Sequence, residues 1–152
     1  MESFSKTSKL ELISQDTPLL PSFFFGLFLA SGSYNEFGEI EISTDIKEIF
    51  EYLHKNLKKT IKKYEINSNF DEILEEKENF VINGKTFYKI TFKNNILEKI
   101  FNLLNINQED TIEENILKAT KTVDNIKNFT KGMFIGCATS SIKISEKANE
   151  KT

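Results

Sequence analysis

The sequence predicts an α+β domain in which an antiparallel sheet is covered by helices on one face. Three observations carry that expectation. Residues 80–92, FVINGKTFYKITF, are two β-rich runs joined by Asn83-Gly84, a pair suited to the positive φ angles of a tight hairpin turn. Ile46, Ile49, Phe50, Leu53, Leu57 and Ile61 recur at helical spacing, as in a helix with one side laid on a sheet. In EFGEIEIST, residues 36–44, Ile40 and Ile42 alternate with Glu39 and Glu41, which reads as a strand with one wet face.

In chain order, Phe4, Leu10 and Ile13 line one side of a short leader helix within residues 1–20, which Asp16-Thr17-Pro18 ends. Ser22 is placed to cap a helix from Phe23 to Ala30, with Gly32 as its terminator. After the strand, Thr44 or Asp45 caps the long helix. KYEINSNF, residues 63–70, reads as a strand, and the glutamate-rich stretch after it as a polar connector. Beyond the hairpin, Ile96, Leu97, Ile100, Phe101, Leu103 and Leu104 form the apolar side of another helix. From Asn107 to Lys127 charge dominates, with a weak helix over Ile112 to Ala119 and a linker-like segment before a second apolar helix. The division expected is a leader (1–20), a first unit (21–106), a helical linker (107–128) and the start of a second unit (129–152).

A chain of 152 residues suits one domain with a real core. All twenty basic residues are lysines and tryptophan is absent, a bias that an AT-rich genome produces through its codons. Lysine abundance is therefore weak evidence for an anionic partner. The single cysteine, Cys137, can make no internal disulfide, which points to a reducing, cytoplasmic setting. Leu19 to Ala30 is mostly apolar but broken by Pro21 and Ser22, and falls short of the roughly twenty residues that cross a bilayer. Glu2, Glu11 and Asp16 in the leader, without a compact basic start, argue against a signal peptide. No membrane partner is expected.

An internal repeat outranks these local readings. Gly26 to Ser33, GLFLASGS, matches Gly132 to Thr139, GMFIGCAT. In each copy small residues sit four apart, Gly26 with Ala30 and Gly132 with Gly136, so on a helix they share a face. A face without bulky side chains lets two helix backbones approach closely. The expected interface comprises Gly26, Ala30, Gly32, Gly132 and Gly136, joining two pseudo-symmetric half-domains.

These two helices resemble degenerate LAGLIDADG motifs, and the layout resembles the amino-terminal portion of the WhiA family of bacterial DNA-binding regulators of sporulation and cell division. The leader SFSKTSKLEL, the stretch FFFGLFLASGSYNEFGEIEIST and the later FTKGMFIGCATSS carry the likeness. It implies a LAGLIDADG-like half-domain plus the first helix of a second half, and a nucleoid-associated transcription regulator acting in cell division and chromosome segregation. Full members would resemble two such halves followed by a helix-turn-helix domain that holds most of the DNA contact. This chain reaches neither the second sheet nor that domain, as a fragment or a curtailed homologue.

In the endonuclease relatives, a carboxylate at the end of each motif helix holds divalent metal and activates water. The resemblance places Ser31 and Cys137 at those positions, with Leu29 and Ile135 at the other usual acidic place. None is a hard anionic ligand. No metal, no cofactor and no catalysis are expected. A thiol nucleophile at Cys137, taken as buried, would need a positioned base, and the only histidine, His54, lies among lysines on the long helix.

Lys55, Lys58, Lys59, Lys62 and Lys63 stack at one-turn spacing and are candidate phosphate contacts, although they equally suit a solvated helix end and its dipole. Glu36, Glu39 and Glu41 oppose DNA on the sheet face, are offset in part by Lys85 and Lys89, and are a candidate surface for partner proteins. Without arginine, bidentate contacts to guanine are unavailable. The leading reading is a non-catalytic scaffold or protein-contact module of a WhiA-like regulator. The alternatives are a decayed homing endonuclease that retains weak DNA binding, and a free-standing homodimeric interaction protein joined through its Gly132 helix.

Overall fold

A computed structural model describes residues 20–66, 74–93 and 95–150, with 74–80 and 138–150 as backbone only. Among these, the elements run α1 (Pro21–Ser31), β1 (Ser33–Tyr34), β2 (Ile40–Thr44), α2 (Lys47–Lys63), β3 (Leu74–Ile82), β4 (Lys85–Phe92), α3 (Ile96–Asn102), α4 (Ile112–Ala119) and α5 (Val123–Glu150). The predicted leader helix lies outside the described residues.

The four strands form one antiparallel sheet in the order β1-β2-β4-β3, so the fold is the α+β layout expected. Pairing of Ile40 with Phe92 and Ile42 with Ile90 gathers apolar residues on one face, because directly opposed residues point the same way. The helices pack on that face. Phe50 of α2 stacks on Tyr88 of β4 at 5.6 Å between ring centroids, and Ile49, Leu53 and Leu57 are fully buried. The lysines of α2 are exposed on its other side and point away from the sheet. Asn83 and Gly84 adopt φ of 51° and 79°, the paired left-handed conformations that close a two-residue hairpin.

Several boundaries differ from the sequence reading. α1 starts at Pro21, with Leu20 as an extended N-cap, and Ser22 is buried inside its first turn rather than capping it. Proline at N1 brings its own helical φ and no orphan donor, and the Leu20 carbonyl accepts from the Phe23 N–H at 3.0 Å. For α2 the cap position belongs to Ile46. Thr44 Oγ1 accepts from the Ile46 N–H at 3.1 Å, one step before the helix, and Asp45 faces Lys85 instead.

The strand read at residues 63–70 is replaced, over its described part, by the end of α2 and a turn in which Glu65 has φ 53°. The glutamate-rich connector is in fact the first half of β3, paired with β4 from Leu74 opposite Phe92 onward. Strand pairing overrides the low intrinsic preference of glutamate for strands. The linker-like segment after α4 shrinks to Lys121-Thr122, because Thr122 caps α5: its Oγ1 accepts from the Asn125 N–H at 3.0 Å. α4 itself carries a complete capping box between Thr111 and Glu114.

The hairpin turn provides a test of this backbone. A β-carbon on Gly84 would stand in open space, with nothing within 4 Å, so Gly84→Val meets only the left-handed backbone penalty. Urea denaturation should show a loss of about 1–2 kcal/mol for this variant, and a smaller one for Gly84→Asn.

Candidate functional site

The two repeat helices lie side by side. α1 is apolar on every side, which suits a helix surrounded by protein. Phe23 meets Tyr52 of α2, Phe25 meets Phe101 of α3 and Phe129 of α5, and Phe28 meets Tyr34 of β1. Along α5 the contact is backbone to backbone. A β-carbon on Gly26 would collide with the Phe129 carbonyl oxygen and lie 3.1 Å from the Met133 nitrogen. One on Gly132 would collide with the Phe23 carbonyl oxygen and lie 2.9 Å from the Leu27 nitrogen.

This pattern is reciprocal. In the repeat Phe23 corresponds to Phe129, Gly26 to Gly132 and Leu27 to Met133, so each glycine meets the equivalents of the residues that its own counterpart meets. Contacts of that kind define a local twofold relation, as at an isologous dimer interface but within one chain. Further along, a β-carbon on Gly136 would sit 2.7 Å from that of Ala30, its own counterpart, and 3.0 Å from the Leu27 carbonyl oxygen. Partners advance together along both helices, which makes the pair parallel. Gly26, Ala30, Gly132 and Gly136 thus meet as expected. Gly32 does not join them: its N–H closes α1 onto the Phe28 carbonyl at 2.8 Å, and a side chain there would strike Phe28 of its own helix.

At the start of the seam, Asn128 Oδ1 accepts from the Leu20 N–H at 2.9 Å while its Nδ2 donates to the Asp124 carbonyl at 3.0 Å, tying the entry of α1 to α5. At the other end, the two matched positions expected to have lost metal-binding acids differ from each other. Ser31, the last residue of α1, is buried and its Oγ donates to the Leu27 carbonyl at 3.1 Å. Cys137 is exposed, not buried as the sequence suggests. The helix also runs on past it, because Ala138 stands where Gly32 ends α1. A hydroxyl committed to a backbone carbonyl and an exposed thiol do not fit a hard divalent ion. Leu29 is half-buried and Ile135 fully buried, and no group of three or more metal-ligating side chains occurs among the described residues.

Lys131 is not singled out by the sequence, yet it is the most unusual charge in the seam. It occupies the place of Phe25 in the repeat, is 6% exposed, and has an Nζ without a hydrogen-bond partner, 5.0 Å from the Tyr52 ring centroid. Its stem packs as an apolar chain and its ammonium faces an aromatic ring. Burial lowers its pKa below the usual lysine value. Burial also pushes the Tyr52 phenol up to about 12, against the opposing influence of Asn56.

The remaining candidates are dispersed. Glu36 is exposed in the turn after β1. Glu39 and Glu41 are half-buried, with Asn35 Nδ2 donating to Glu39 Oε1 at 3.0 Å and Lys89 standing 3.8 Å from Glu41. On the outer sheet face Glu41 thus has a cation beside it, and Ser43 and Thr91 there are buried. Lys55, Lys58, Lys59, Lys62 and Lys63 are all exposed on α2, on the opposite side of the domain from that face. His54 is half-buried on the same helix. No described helix is long and apolar enough to cross a membrane. Comparison with protein-family models, curated proteins and solved structures finds no match.

Two measurements probe this site. Gly26→Val and Gly132→Val each force a side chain into a carbonyl oxygen, so each should lower stability in urea denaturation by about 3 kcal/mol or more, whereas exposed Gly38→Ala, with open space around it, should lose only about 1 kcal/mol. Lys131 binds its proton less firmly folded than unfolded, so stability should rise with pH through the window below its unfolded pKa of 10.5. Tyr52 holds its proton more firmly folded, so stability should fall as pH climbs from 10.0 towards about 12. Lys131→Met should abolish the rise and add on the order of 1 kcal/mol at neutral pH, read from pH-dependent chemical denaturation.

Proposed function

We propose that the chain is a non-catalytic module of a WhiA-like DNA-binding regulator of cell division and chromosome segregation, serving as a scaffold or protein-contact domain. The observation that carries the reading is the reciprocal glycine seam between the two repeat helices, as expected of paired LAGLIDADG-like motifs. The end of α1 presents Ser31 and the matching position within α5 presents Cys137, both of which lack the anionic oxygens that metal-dependent hydrolysis requires.

The charge layout supports contact with protein over tight contact with DNA. On the outer sheet face Glu41 is matched by Lys89, and the five lysines of α2 point the other way, so one duplex cannot use both surfaces. Retained weak DNA binding by a decayed endonuclease has that same lysine ridge in its favour, since exposed cations one turn apart can follow a phosphate backbone. Dimerisation through the Gly132 helix loses its original motive, because α1 of the same chain already fills that face.

Fluorescence anisotropy of a labelled duplex against salt tests the reading. Binding should appear only at low ionic strength and vanish near about 0.15 M salt. Submicromolar affinity persisting there, lost on changing Lys58, Lys59 and Lys62 to glutamate, would transfer the function to DNA recognition. Supercoiled plasmid incubated with magnesium or manganese should remain unnicked.

A further inference from the structure

We propose that the open groove between α1, α3 and the loop joining α3 to α4 is the docking site for a short basic amphipathic segment of a partner protein. The inference deepens the protein-contact reading above and rests on it in supposing that the partner is a polypeptide. Its floor is aromatic: Phe28 lies 5.5 Å from Phe101 and 6.0 Å from Tyr34, ring centroid to ring centroid. Phe28 and Leu29 are only half-buried, and Tyr34 and Ile112 at the rim are 54% and 61% exposed, so apolar surface faces the opening. At about 1290 Å³ the space exceeds the roughly 300–1,000 Å³ of small-molecule sites, which favours a peptide over a metabolite.

The far wall is built in advance. Asn107 Oδ1 accepts from the Glu109 N–H at 3.0 Å, and the Asn115 side chain both accepts from the Asn107 N–H at 3.2 Å and donates to its carbonyl at 2.9 Å. Lys118 donates to the Asn105 carbonyl at 2.8 Å and pairs with Asp110. A wall held this way loses little freedom when a ligand arrives.

Charge identifies the occupant. Glu98 and Glu109 are exposed acids of the lining, and Lys118 beside it is held by Asp110 and the Asn105 carbonyl, so a segment with cations flanking one or two apolar anchors is complementary. The chain's own leader carries three acids against two lysines and is a poor match. A second copy could offer the lysine side of α2, but that side has no apolar anchor among Lys55, Lys58, Lys59, Lys62 and Lys63.

The test uses a fluorescent model helix with a leucine face and a lysine face, beside the same peptide with glutamate for lysine. Anisotropy should show saturable one-to-one binding of the lysine peptide alone, with amide shifts in NMR spectra confined to α1, α3 and residues 105–115. Glu98→Lys with Glu109→Lys should weaken it by about tenfold or more, and Ile112→Ser should weaken it at unchanged Tm. The same charge change at exposed Glu48 and Glu51 on α2 should leave affinity within about twofold. Equal losses from both pairs of reversals, or shifts on the outer sheet face, would overturn the groove while leaving a protein-contact role intact. Absence of any peptide binding, or a dimer in light scattering that Glu98→Lys disperses, would overturn the proposed occupant. Tight duplex binding at physiological salt would instead remove the reading beneath it.

Discussion

A carbonyl oxygen standing where a β-carbon would otherwise be is the constraint on which this molecule depends. At Gly26 and again at Gly132 the neighbouring helix brings its main chain into the space that any other residue would fill. Because the approach is that close, dispersion contacts between two backbones replace those between long side chains, and the orientation of one helix on the other is held by shape. α1 then becomes the centre of the domain. Phe23, Phe25 and Phe28 reach α2, α3, α5 and β1 from it, while α5, packed along it, meets β2 directly. Displacing α5 would expose the carbonyl side of α1 and the rings that depend on its position.

The far end of the seam is poorly suited to holding a hard metal ion: it offers a buried serine whose hydroxyl donates to a main-chain carbonyl and an exposed thiol on a helix that does not stop. Lysines gather on the back of α2, Glu98 and Glu109 line the aromatic groove beside α3, and Glu41 on the outer sheet face stands by Lys89.

Polar groups inside the seam have two roles. Asn128 satisfies a main-chain donor at the entry to α1 and so fixes the helix register, a use of buried polarity that apolar packing cannot supply. Lys131 does the reverse, since its ammonium finds an aromatic face and no acceptor. Phe25, packed against Phe101 and Phe129, stands at the corresponding place in α1, so the charge is a departure from the repeat.

How much can be read without coordinates differs by feature, and for physical reasons. The hairpin at Asn83-Gly84, the apolar side of α2 and the pairing of the repeat helices are written locally, in turn chemistry and in spacing, and all three hold. The Thr111 capping box is just as local, a threonine followed three residues later by a glutamate. β3 is not legible, because Glu75, Glu76 and Glu78 enter a strand only through their pairing with β4, which no local preference reveals. Burial of Lys131 and exposure of Cys137 are hidden for a related cause: both follow from where α2 and the continuation of α5 lie, not from their own neighbours in the chain. The sequence by itself determined which helices would touch and which residues would let them, since only glycine permits that distance at positions 26 and 132. Tertiary structure alone decided which charges are paired, which are stranded and where a groove remains open, because those depend on segments far apart in the chain arriving at the same place.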